Sequence, residues 1–139
     1  MPASSHQLIF HGSLVLLFGL LLGAPYAKAI KNNAAANIIN SWRVAHLSLP
    51  IGATLMFAIA AVLSALAVSA AIAWVIAVAL IISAYGFCIS TPLAAICGQR
   101  GLSSDATGLG KLVYLGNIVG ASCSVIAAVA LVYAAFISL

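Results

Sequence analysis

Residues 45–68 and 71–97 are two apolar stretches that follow one another with almost no polar turn between them. Each exceeds the ~20 apolar residues that a helix needs to cross a bilayer. In hydrocarbon every backbone N–H and C=O must be paired within the protein, so stretches of this length and continuity are read as transmembrane helices. Residues 8–26 and 112–138 meet the same criterion. The expected fold class is therefore all-α: one integral membrane domain over residues 1–139, a four-helix bundle. The second and third expected crossings, residues 45–68 and 71–97, should form an antiparallel pair. Residues 27–45, with Ile38, Ile39 and Trp42 at helical spacing, read as an interfacial lead-in to the second span.

Charge sets the orientation. Only 4% of the residues are charged while 65% are hydrophobic, too little charge to cover the surface of a soluble domain. The cations Lys28, Lys31 and Arg43 fall in the first loop and Arg100 and Lys111 in the third. The positive-inside rule then puts those loops in the cytoplasm, and both termini and the short second loop outside. No basic patch with interleaved aromatics is present, so nucleic acid is not an expected partner. Asp105 is the sole acidic residue, which excludes paired-carboxylate chemistry and all-oxygen calcium or magnesium cages within one chain. Tyr26-Ala27-Lys28-Ala29 resembles a signal-peptidase site, but no Lys or Arg precedes the apolar run, and a retained first span is expected. Cys88, Cys97 and Cys123 show no CxxC spacing and are expected to be buried packing residues without a disulfide.

Within this apolar frame His46 stands out. An imidazole in a membrane span is a site hypothesis whose partner has to be found. Pro50 lacks the N–H that would bond the His46 carbonyl, so the helix ladder opens where the ring hangs. The structural alternative, a His bonded to a neighbouring helix beside a plain proline kink, has equal weight at this stage. Counting depth from Arg43 and Lys111 puts His46, Ser48, Tyr114 and Asn117 in one inner-half cluster, with Tyr85 and Cys88 reaching toward it and Pro92 freeing the Cys88 carbonyl. His11 lies on the order of 20 Å farther out, too far for a bis-His haem within one chain. Gly12, Gly19 and Gly23 on span one, and Gly116 and Gly120 on span four, predict close helical neighbours. One imidazole without carboxylates suits a haem iron better than zinc, which would want three or more ligands together. Four short spans enclose little volume, so an organic cofactor would sit between subunits of an oligomer.

The segments Trp42-Arg43-x-Ala45-His46 and Gln99-Arg100-Gly101-Leu102, with the four-span layout, resemble hydroxylaminobenzene mutase across the whole chain and, more distantly, styrene oxide isomerase. The resemblance implies the cytoplasmic membrane of a bacterium, nitroaromatic degradation, a homotrimer with haem b between subunits, and His46 as the axial ligand to iron. It also implies a span-three tyrosine acting on the substrate, for which Tyr85 is the nearest candidate and Tyr114 the competitor. The isomerase pattern has an Asn six residues after the His, where this chain has Gly52, so that role is absent or moves to Asn117. The expected activity is the redox-neutral conversion of hydroxylaminobenzene to 2-aminophenol. Its alternatives are an epoxide-to-aldehyde isomerase on the same scaffold and a non-enzymatic membrane transport or assembly protein.

Overall fold

The computed structural model describes residues 1–139 and consists of five helices: α1 (Ala3–Leu21), α2 (Gly23–Lys31), α3 (Ala36–Ala65), α4 (Ala70–Cys97) and α5 (Leu109–Phe136). Helices α1 and α2 together make one crossing, so four helices are long and apolar enough to span a membrane. The break between them falls at Leu22, where the chain turns with φ −67° and ψ −9°. Pro25 accounts for it: its ring crowds the Leu21 carbonyl and it has no N–H to offer that oxygen.

The first crossing runs from Ala3 to Lys31, beyond the expected residues 8–26 at both ends. Lys28 and Lys31 lie in its last turn, where their alkyl stems prolong the apolar surface and their ammonium groups reach water. Residues 36–45 form no separate lead-in either; they are the first turns of α3, and only residues 32–35 separate the crossings. Asn33 takes a left-handed φ of 49° there, a conformation that Asn tolerates. At the opposite end Ser69 caps α4, its Oγ accepting from the Ile72 N–H at 3.4 Å. Gly98, with φ 69°, terminates the same helix in left-handed conformation.

Helix α4 is the centre of the bundle, packing against α1, α3 and α5, while α5 rests on α4 alone. Lipid tails are as apolar as leucine, so helices in a bilayer associate through close packing and hydrogen bonds rather than hydrophobic exclusion. Both main interfaces are built that way. Along the first crossing, Gly12, Gly19 and Gly23 all face α3; a Cβ on Gly19 would lie 2.6 Å from Pro50 Cδ and 2.9 Å from Leu49 Cβ. Between α4 and α5, Gly86 meets Gly116 and Gly120 backbone to backbone, and Ser83 Oγ donates to the Gly120 carbonyl at 2.7 Å. The glycine ridge of α5 thus finds its neighbour within the same chain.

Two core clusters follow from this arrangement. Leu8, Met56, Leu63, Ile76 and Leu80 fill the end near the 66–69 loop, and Val15, Leu22, Ala45, Leu49 and Ala53 fill the α1–α3 interface toward the other end. Large apolar side chains point outward instead, Ile51 at 69% exposure and Phe136 at 71%, as a lipid-facing surface requires. The three cysteines are free and half-buried rather than buried.

Candidate functional site

His46 lies on the face of α3 turned toward the first crossing. Its Nδ1 is 2.9 Å from the Gly19 carbonyl oxygen. A carbonyl only accepts, so Nδ1 donates in this contact, and Nε2 has no hydrogen-bond partner in the chain. The glycine at 23 makes room for the imidazole: a Cβ there would lie 3.1 Å from His46 Cε1. Tyr26 stacks obliquely beyond it, ring centroids 6.1 Å apart at 33°. The Leu22 break brings these groups together, because it turns the end of the first crossing onto α3. A ligating histidine characteristically donates its other N–H to a carbonyl, which fixes the ring and raises its basicity. This chemistry fits an axial ligand for haem iron.

The remaining expected site residues are not gathered around His46. Tyr85 Oη is 2.8 Å from His11 Nδ1, and the two rings meet edge to face with centroids 5.6 Å apart. Tyr85 is thus bound to α1, well away from the His46–Gly19 contact along that helix. The signal for this pair in the sequence is that two polar rings in apolar crossings each need a partner. Asn117 donates through Nδ2 to the Arg100 carbonyl at 3.1 Å, with the Gly101 carbonyl at 3.5 Å. It pins the 98–108 loop onto α5, where Gly101 has φ 64° and packs so closely that a Cβ would lie 2.5 Å from Val113 Cγ1. Tyr114 is half-buried and Ser48 faces outward. Because α5 touches only α4, neither Tyr114 nor Asn117 joins His46 through direct α3–α5 packing.

The pinning role carries its own expectation. Replacing Asn117 by Ala removes the side-chain donor to the loop at a cost of about 1 to 3 kcal/mol. Hydrogen exchange should accelerate at residues 98–108 and remain unchanged in α3. A loss of turnover with unaltered loop exchange would instead assign Asn117 to the reaction.

A cavity of about 360 Å³ opens between α3, α4, α5 and the 98–108 loop, lined by Asn40, Ser41, Ser90, Thr91, Arg100 and Asn117 among others. Sequence reading missed it, because Ser90 looks like any helical serine until α5 covers it. No cluster of three His, Cys, Asp or Glu side chains suited to a metal ion forms within the chain.

The chain matches the family model of styrene oxide isomerase over residues 4–136. No curated protein and no solved structure matches the chain.

Proposed function

The chain belongs to the styrene oxide isomerase family, and on that premise we propose that it is a membrane isomerase moving oxygen within an apolar aromatic substrate, converting hydroxylaminobenzene to 2-aminophenol with haem b held by His46 at the interfaces of a homotrimer. The observation that carries this reading is the imidazole tied through Nδ1 to the Gly19 carbonyl, with Nε2 unengaged. When bound there, the haem would supply a Lewis-acidic iron to the substrate oxygen.

The chain's own residues would do the rest. The Gly19 carbonyl holds the Nδ1 proton and fixes the ring, and Gly23 leaves the space in which it sits. The outward apolar side chains admit an aromatic substrate from the bilayer and exclude water that would divert the reaction. A phenol, that of Tyr85 held by His11 or that of Tyr114, would hydrogen-bond the moving oxygen, while Asn117 would act from a distance by holding the 98–108 loop. In the overall change the N–O bond breaks, a C–O bond forms at the ortho carbon, the ring proton leaves and the nitrogen regains one. The nitrogen is reduced by two electrons and the ortho carbon oxidised by two, so the change needs no external oxidant or reductant. The cation-bearing helix ends beside residues 32–35 and 98–108 would face the cytoplasm and the termini the opposite side.

The substrate assignment rests on the resemblance of Trp42-Arg43-x-Ala45-His46 and Gln99-Arg100-Gly101-Leu102 to hydroxylaminobenzene mutase, and on Gly52 standing where the resemblance to the epoxide isomerases implies an Asn. The family match favours a second reading, epoxide-to-aldehyde isomerisation, and favours catalysis over transport or assembly. Haem-replete protein should be incubated with phenylhydroxylamine in ¹⁸O-water and, separately, with styrene oxide. The proposal expects unlabelled 2-aminophenol; labelled or para product would overturn it, and turnover of styrene oxide alone would select the second reading.

A further inference from the structure

The cavity between α3, α4, α5 and the 98–108 loop has a feature that the isomerase reading does not use. Ser90 is fully buried on its wall, and its Oγ has no hydrogen-bond partner in the chain. Other hydroxyls in the helices bond the carbonyl one turn back: Ser13 to Ile9, Ser41 to Asn37, Thr54 to Pro50 and Thr91 to Phe87. That local bond is the default for a helical serine or threonine. Ser90 lacks it, and a buried hydroxyl left unpaired costs about 1 to 3 kcal/mol unless something else supplies the partner.

The rest of the lining indicates what that partner would be. Arg100 lines the cavity, and with its carbonyl engaged by Asn117 its guanidinium is the group left to meet a ligand. No carboxylate lines the cavity, and Arg100 forms no ion pair with Asp105. Asn40 accepts from Arg43 through Oδ1, which leaves its amide N–H groups available as donors. Ser90 lies seven residues inside the end of α4, ~10 Å deeper than Cys97. A ligand that satisfies the site therefore has an oxyanion at the loop end and a neutral acceptor about two turns farther in, beside the apolar side chains of Val44, Ala94 and Leu102.

We infer that this cavity binds the headgroup of an anionic phospholipid, its phosphodiester on Arg100 and Asn40 and an acyl ester carbonyl accepting from Ser90. A free phosphate ester offers the same oxyanion to the guanidinium but nothing for Ser90, and in a bilayer the lipid is by far the more concentrated source. Arginine suits the role because its fork matches two phosphate oxygens at once.

The test uses full-length protein, stripped of lipid in detergent, and follows thermal unfolding and native mass spectra as phosphatidylglycerol, phosphatidylcholine or inorganic phosphate is added. Wild-type protein should retain one phosphatidylglycerol and unfold at higher temperature with it, while inorganic phosphate at the same concentration has no effect. Arg100→Gln, at an exposed side chain, should fold normally and bind phosphatidylglycerol about tenfold more weakly or worse. Ser90→Ala should leave the lipid-free protein as stable as wild type or more so, because it deletes an unpaired hydroxyl, yet show a reduced shift with lipid. Equal retention of phosphatidylglycerol by wild type and Arg100→Gln would overturn the inference. So would an equal response to phosphatidylcholine, or full replacement of the lipid by inorganic phosphate.

Discussion

His46→Ala protein is expected to fold, to purify without the Soret absorption of haem-replete wild type, and to lose isomerase activity. Deleting the ring removes the one free imidazole nitrogen at the α1–α3 interface, since the other nitrogen is committed to the Gly19 carbonyl. The loss should exceed the about 10- to 100-fold that follows when only the outer partner of a metal ligand is removed. That smaller effect is the expectation for Gly23→Ala, whose Cβ would press on the ring at 3.1 Å and tilt it without abolishing ligation. A purely structural His46 makes different demands. Its removal would cost about 0.6 to 2 kcal/mol of helix association, seen as lowered thermal stability, while absorption and turnover survived. Absorption spectra and unfolding curves of wild type and both variants separate the two outcomes.

Gly86→Val should be strongly destabilising. A Cβ at this position would lie 2.9 Å from the Gly116 carbonyl oxygen and 3.0 Å from the Gly120 nitrogen, so it meets backbone rather than a side chain able to turn aside. Valine adds two methyl groups to that contact. The usual overpacking cost of about 1 to 3 kcal/mol is a lower bound here, because α5 has no other helix to lean on. Separating the helices would also disturb the Ser83–Gly120 hydrogen bond. Gly52→Val supplies the control: nothing lies within 4 Å of a Cβ at that position, so its unfolding temperature should match wild type. Thermal unfolding in detergent, followed by helical circular dichroism, compares the two, and equal stability would disprove the proposed dependence of α5 on α4.

How much of this was legible beforehand differs from feature to feature. Gly12, Gly19 and Gly23 announced a thin face, and that face does meet α3. The Gly116/Gly120 ridge announced a close neighbour without identifying it, and α4 of the same chain fills the role. His46 was recognisable as a polar ring in need of a partner, but the partner is a backbone carbonyl on α1, which no side-chain pattern advertises. Tyr85 and Asn117 were grouped with His46 by depth, and depth says nothing about azimuth. The structure turns Tyr85 to His11 and Asn117 to the loop carbonyls.

The sequence by itself determined that the chain crosses the membrane four times, because spanning depends on local length and hydropathy. It also determined which end of the bundle carries the cations, although all but Arg100 sit within helices rather than in loops. Which side of each helix looks inward was decided only by tertiary structure. In water, an amphipathic stripe marks the buried face of a helix; in lipid, the outer face is apolar too, and the stripe disappears. The inward faces are set instead by where glycines allow backbones to touch and where a proline break turns one crossing onto the next. Those contacts leave the His46 imidazole with one nitrogen occupied and one free.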